Sequence, residues 1–477
     1  MSSRAYGEGV GMTSRAWTAQ AWSRPIVQVG GLRAVPLLHG VAWTVPFVAF
    51  LAYIVAITTY RLPIGNVAMI AGLVGLAIQR QPRRVPVLLA WFAALILWCA
   101  VGYVTTAYPE QTWTGLVDLA KLWAVVLVGA NALRTRAQAR LYMVAFLGCF
   151  ALYPLRGAMF NYFFYHSTVF GRAIWNYVYS NPNDLAALAL LQLSMAAALF
   201  ATEGRGWVRR AAQAGIVLLP LLVLMTQSRG AFIALLVFAL ACVIGQWQRF
   251  RTVLAPHRRR RLVIGAIAVV SAVVFFAPDG VWERVAGLRH LTTPSQLDEV
   301  DQEGSARQRF EIWRVAAKII REHPLTGIGI GAYPLAHQRY ARGEEFEPTA
   351  AGRRDTHSTI LNLLAEAGVT GLLAFLGLVL TTVVGADRAR RGCRHHAPDL
   401  SLQLFYLEMG LLAFFTAGIF GSFEHLSFLY LHLLLLWVLA TLAREAQQAT
   451  RLVPQHASWI PTAHRPHRRR RGTSWPQ

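Results

Sequence analysis

Three arginines stand at the ends of apolar runs, where few charges would be expected: Arg156 in PLRG, where Pro154 weakens the end of the apolar helix, Arg172 in VFGRA and Arg229 in QSRG. A guanidinium is always charged and presents a planar fork of donors, which suits phosphate oxygens better than an ammonium does. Together such groups could neutralise a diphosphate; singly, loop arginines only touch lipid headgroups. The Ser228-Arg229-Gly230 turn adds a helix opening, whose free amides also favour an anion. A second focus is His357, in the run Arg353-Arg354-Asp355-Thr356-His357-Ser358-Thr359. A histidine in a first helical turn among arginines is held neutral, the form a general base needs; the alternative is a water-exposed histidine beside a cap formed by Asp355, Thr356 or Ser358.

Other ionisable or polar groups inside apolar stretches are functional suspects by position. Asn362 and Glu366 follow His357 on the same helix, and Glu408 lies in a later one. Asp118 and Lys121, three apart, are expected to pair with each other. Asn181 and Asn183, beside Pro182 and Asp184, open a span and read as caps, with sugar or phosphate contact as the alternative. Asp298, Glu299, Asp301 and Glu303 could bind a divalent cation through oxygens, but they lie in a turn-like stretch without a frame and read as a solvated acidic loop. Gly327, Gly329 and Gly331 resemble a nucleotide loop only superficially, since no strand precedes them and no Walker lysine follows.

The elements that must position these groups are helices in a bilayer. Of 477 residues, 55% are hydrophobic and 14% charged, against roughly 25% charged in soluble proteins. This excludes a soluble globular or a disordered chain. Apolar stretches of about 17–25 residues give about twelve spans: 37–60, 63–79, 85–105, 113–133, 137–159, 183–202, 210–227, 230–248, 261–278, 357–384, 401–420 and 425–443. The fold expected is an all-α polytopic membrane protein. Arg and Lys collect in both tails and in alternate loops such as RTRAQAR and DRARRGCRHH, which places both termini in the cytoplasm. The excess of 46 Lys+Arg over 23 Asp+Glu is thus explained by membrane-flanking loops, with no nucleic-acid partner. No cleaved signal peptide is read. Cys99, Cys149, Cys242 and Cys393 form no pair at metal or redox spacing. The layout expected is a basic tail (1–36), helices (37–278), a large outer loop (279–355), further helices (356–443) and a second basic tail (444–477). Within the loop, Phe310, Trp313, Ala317 and Ile320 recur at helical spacing and predict an amphipathic helix ending at His323-Pro324.

The SRGA turn at Ser228–Ala231, the stretch RFEIWRVAAKIIREHPLTGIGIGAY and the following HSTILNLLAEAGVTGLL resemble the O-antigen ligase and polymerase superfamily, over roughly residues 40–440. The resemblance implies a glycosyltransferase of the GT-C type in the bacterial inner membrane, with its active site facing the periplasm. It implies a glycan donor on undecaprenyl diphosphate, a sugar hydroxyl of lipid A-core as acceptor, and no cofactor or metal. It carries the key arginine to Arg229, the loop arginine before the tryptophan to Arg309 and the essential histidine to His357. Arg156 and Arg172 fit further arginines of the family. A polymerase with a second lipid-linked glycan as acceptor and a protein O-oligosaccharyltransferase remain open, as does a transporter of anionic lipids, although no repeated halves with broken helices are found.

The arginine asymmetry makes topology testable. A cysteine placed in the 279–355 loop should react with a membrane-impermeant maleimide added from outside, and one in RTRAQAR should not; the reverse pattern would overturn the orientation.

Overall fold

A computed structural model describes residues 35–60, 62–253, 305–343 and 345–452. The described chain is almost wholly helical, with one isolated bridge between Val169 and Arg172 in place of a sheet. The helices are α1 (Val45–Thr59), α2 (Gly65–Ile78), α3 (Val87–Thr105), α4 (Pro109–Ala132), α5 (Arg136–Tyr165), α6 (Pro182–Thr202), α7 (Trp207–Met225), α8 (Arg229–Val253), α9 (Ser305–Glu322), α10 (Tyr333–Tyr340), α11 (Thr359–Gly392), α12 (Pro398–Gly418) and α13 (Ser427–Leu452). Nine of these helices are long and apolar enough to cross a membrane, and α1 and α2 are shorter apolar helices. The chain is therefore a multi-pass membrane protein. The ninth expected span, 261–278, residues 279–304 of the outer loop, and residues 1–34 and 453–477 of the basic tails lie outside the described residues.

Helices dominate because a backbone in hydrocarbon must satisfy its own polar groups. Proline sits in the first turn of α4, α6 and α12, where its missing N–H costs nothing. Pro154 was expected to weaken the end of the fifth span, but α5 runs on to Tyr165. A π-helical stretch at Ala151–Leu155 contains the proline, and such a bulge absorbs the lost hydrogen bond without ending the helix.

The core is built around α6 and α13, whose membrane-length windows are 83% and 78% buried. Small residues on α6 allow neighbours close, so that Gly410 of α12 rests directly on Ser194. The arginine-rich connections gather at one end, where Arg84 pairs with Glu445 at 2.6 Å and Arg136 with Asp399 at 3.0 Å. Glu408 pairs with Arg390 at 2.7 Å at that same end, giving this intramembrane carboxylate a structural partner.

The opposite end carries the polar segment that begins with α9. Its buried stripe is Ile312, Val315, Ala316 and Ile319, whereas Phe310 is exposed. The expected helix is present, but its packed face is rotated from the one read off Phe310, Trp313, Ala317 and Ile320. The glycine motif after α9 is a strap. It lies in a kink of α11 at Gly368, whose φ is 67°. The kink frees carbonyls of α11, and Ile328 N–H donates to Ala365 O at 2.9 Å while Gly329 N–H donates to Glu366 O at 3.0 Å. Val369 N–H closes the arrangement onto Pro324 O at 2.9 Å, and the Trp98 indole N–H donates to both Leu325 O and Ala367 O.

A side chain at Gly368 would overlap the Leu325 carbonyl in addition to the strain of its positive φ. Backbone strain alone costs of order 1–3 kcal/mol. Gly368→Ala should therefore lower the melting temperature in detergent, whereas Gly148→Ala, at a helical glycine with open space around it, should leave it unchanged or raise it. Equal melting temperatures for the two variants would show that the strap does not depend on the kink.

Candidate active site

The site end is assembled from loops that are tied to one another. After α5 the chain turns tightly at Phe170-Gly171, both with positive φ, and Arg172 follows. The Arg172 guanidinium donates through Nε to Thr226 O and through an Nη to Asn183 Oδ1, both at 2.8 Å. Gln227, itself at φ 51°, donates to Gly171 O at 3.0 Å, and Ala173 N–H donates to Met225 O at 2.9 Å. The α7–α8 turn that presents Arg229 is thereby fixed against the 166–181 loop and the start of α6. Arg229 is the first residue of α8 and half-buried. The adjacent Gly230 packs against Phe420, so α8 starts beside the α12–α13 connection.

His357 lies just outside α11 and not in its first turn, as the sequence had implied. Ser358 is the N-cap residue, and His357 precedes it with φ 50°. Its neighbours are held by a buried polar network. The Trp313 indole N–H of α9 donates to Thr356 O at 2.9 Å. Thr356 Oγ1 meets Ser422 Oγ at 2.7 Å and donates to Asn362 Oδ1 at 3.2 Å. Asn362 Nδ2 in turn donates to Glu424 Oε1 at 2.6 Å. The histidine is thus carried on a backbone that α9, α11 and the α12–α13 connection hold together.

Burial lowers the proton affinity of His357, and the guanidiniums of Arg309, Arg172 and Arg354 lower it further, against the opposing pull of Asp355. The direction agrees with the expected neutral imidazole, but the cause is desolvation and specific arginines more than a helix dipole. Arg309, half-buried on α9, is thereby brought into electrostatic reach of His357 together with Arg172.

The remaining expected residues divide by role. Arg156 is exposed within α5 and lies over the Phe160 ring at 4.9 Å. Asn181 caps α6 by accepting from Asn183 N–H at 2.9 Å, while Asn183 receives Arg172. Glu366 accepts from Tyr333 N–H at 3.0 Å and so anchors the start of α10. Asp118 and Lys121 pair at 3.1 Å, as their spacing implied. Among the described residues no group of three or more His, Cys, Asp or Glu is arranged to hold a metal ion. Asp298, Glu299, Asp301 and Glu303 lie outside those residues. Trp313 and Thr356 were read from sequence only as an amphipathic-helix position and a possible cap, and Ser422 and Glu424 were not singled out. The signal available for the last two was a Ser and a Glu in the short SFEHL connection between two apolar helices.

Residues 214–376 match the family model described as O-Antigen ligase. The resemblance carried by the three motifs is borne out over those residues, which hold Arg229, Arg309 and His357, and the match is narrower than the expected 40–440. No curated protein matches the chain.

If the arginines set the state of His357, it should titrate below the ordinary 6.5, and Arg309→Gln should raise its apparent pKa, since a cation opposing protonation is removed. Histidine-selective NMR across a pH series measures this. An apparent pKa at or above 6.5, unmoved by Arg309→Gln, would contradict the assigned proximity.

Proposed function

We propose that this chain, in which residues 214–376 are an O-antigen ligase family domain, transfers a glycan from undecaprenyl diphosphate to a sugar hydroxyl of lipid A-core at the periplasmic face of the bacterial inner membrane. The observation that carries the reading is the convergence of Arg172 and Arg309 on a half-buried His357, at the end of the bundle where Arg229 opens α8. In this reading the fold is of the GT-C type, the segment including α9 is periplasmic, and both basic tails are cytoplasmic.

The diphosphate is held by Arg229, Arg172 and Arg309 at the membrane boundary, with the exposed Arg156 meeting the lipid on its approach. Charge grows on the diphosphate as the bond from the anomeric carbon to its oxygen breaks and the electron pair leaves with phosphate. Fixed guanidiniums therefore stabilise the transition state more than the ground state. The acceptor hydroxyl attacks the anomeric carbon from the opposite face and inverts it, and His357 takes the hydroxyl proton. α9 positions both partners by carrying Arg309 and by holding, through Trp313, the backbone next to His357. No metal or cofactor takes part.

Arg229→Ala should abolish transfer and Arg229→Lys should restore only part of it, because the bidentate fork is lost. Each lost charged hydrogen bond is worth about 1.5–3 kcal/mol, roughly ten- to a hundredfold. Full activity of folded Arg229→Ala would sink the diphosphate clamp. His357→Ala should lose on the order of 10²- to 10⁴-fold, as should His357→Gln, which still hydrogen-bonds but takes no proton. A Gln variant at the wild-type rate would make His357 an orienting group only. Wild-type transfer should survive exhaustive EDTA; loss restored by magnesium or manganese would return attention to Asp298–Glu303. In a deletion strain, loss of all O-antigen from lipopolysaccharide is expected, whereas retention of one unit would indicate a polymerase.

A further inference from the structure

A cavity of about 790 Å³ lies between α4, the strap, the first turns of α11 and the α12–α13 connection. It falls within the roughly 300–1,000 Å³ of small-molecule sites. Glu110, Asp118, Asp355, Glu366 and Glu424 line it together with His425, and among the described residues no lysine or arginine does. Its character is therefore opposite to that of the arginines around His357, yet Asp355 lies two residues from that histidine, so the two regions adjoin.

The carboxylates are not equally occupied. Asp118 is paired with Lys121, Glu366 Oε1 accepts from Tyr333 N–H, and Glu424 Oε1 accepts from Asn362 and lies 3.9 Å from His425 Nδ1. Glu424 is only 4% exposed, and its Oε2 is buried without a hydrogen-bond donor. A buried carboxylate oxygen is costly to leave unsatisfied, which marks Glu424 as an acceptor waiting on a donor in the cavity. The rest of the lining combines the polar Gln111, Thr114 and Asn362 with an apolar floor of Leu119, Leu122, Leu363 and the Tyr430 ring. Carboxylate oxygens with amide and hydroxyl groups beside them, above an apolar floor, suit a ligand with several hydroxyls on one side and C–H groups on the other, which describes a pyranose ring.

We propose that this cavity is the acceptor-side subsite, taking an uncharged or amine-bearing sugar and rejecting phosphorylated or carboxylated ones, with Glu424 as the specificity-determining residue. The proposal rests on the reading in which His357 takes the proton of an acceptor hydroxyl. It separates the two substrates by charge: the diphosphate is drawn to the arginines and repelled from the carboxylates, and the hydroxyl-bearing sugar approaches His357 from the acidic side.

The test uses the full chain purified in detergent, with saturation-transfer NMR of glucosamine, methyl glucoside, glucuronic acid and glucose 6-phosphate, and undecaprenyl diphosphate binding measured in parallel. Glucosamine and methyl glucoside should receive saturation and the two anionic sugars should not. Glu424→Gln should weaken the first pair about tenfold and leave undecaprenyl diphosphate binding unchanged. Asp118→Asn, at an exposed position lining the same cavity, repeats the test should Glu424→Gln fold poorly. Binding of the anionic sugars as well as glucosamine, or sugar binding indifferent to both variants, overturns the acceptor subsite even if undecaprenyl diphosphate binds. Absence of undecaprenyl diphosphate binding in the wild type, with sugar selectivity intact, would instead overturn the donor reading and leave the cavity as a sugar site.

Discussion

A helix that bends inside an apolar bundle must find donors for the carbonyls it frees. In this protein the bend is at Gly368 of α11, and the donors are Ile328 N–H and Gly329 N–H of the strap. That exchange does more than relieve α11. It pins the segment containing α9 and α10 to the bundle and so sets where Arg309 and Trp313 stand relative to His357. Gly327 adopts φ 66° against the Glu366 backbone, where a side chain would overlap it. The motif GIGIGAY and the motif AEAG are thus two halves of one joint, separated in sequence and required together in space.

From that joint the site follows in two electrostatic halves. Arg172 reaches across from the 166–181 loop to bind the turn that presents Arg229, and with Arg309 it depresses the proton affinity of His357. On the other side, Asp355 and Glu424 belong to an acidic cavity. Thr356 and Asn362 join the halves through hydrogen bonds that end on Glu424. Buried networks of this kind are rigid when satisfied, and rigidity is what a base and a clamp need in order to act on the same bond.

Much of this was legible in the sequence because hydrocarbon imposes a simple code. Runs of apolar residues gave most helices to within a few residues, and arginine-rich loops marked one end of the bundle. The Ser228-Arg229-Gly230 turn and His357 stood out as charged or titratable groups at helix openings. What the sequence did not reveal were choices made by distant packing. The face of α9 could be read from Phe310-Trp313 or from Ile312-Val315, since both rows repeat at helical spacing, and burial against the rest of the polar segment selects the second. Pro154 signalled a helix end, but a local π-helical bulge removed the need for one. Glu424 gave no periodic signal, being a single carboxylate in a short connection, and its role depends on Asn362 in another helix.

The central claim is that the arginine and histidine end of the bundle makes a glycosidic bond. The most direct measurement supplies purified protein in detergent with an undecaprenyl-diphosphate-linked glycan and lipid A-core, and quantifies both products. The account predicts one lipid A-core–linked glycan, of inverted anomeric configuration, for each undecaprenyl diphosphate released. Unchanged donor with no new linkage, by protein that moves the same lipid across a proteoliposome bilayer, would contradict it.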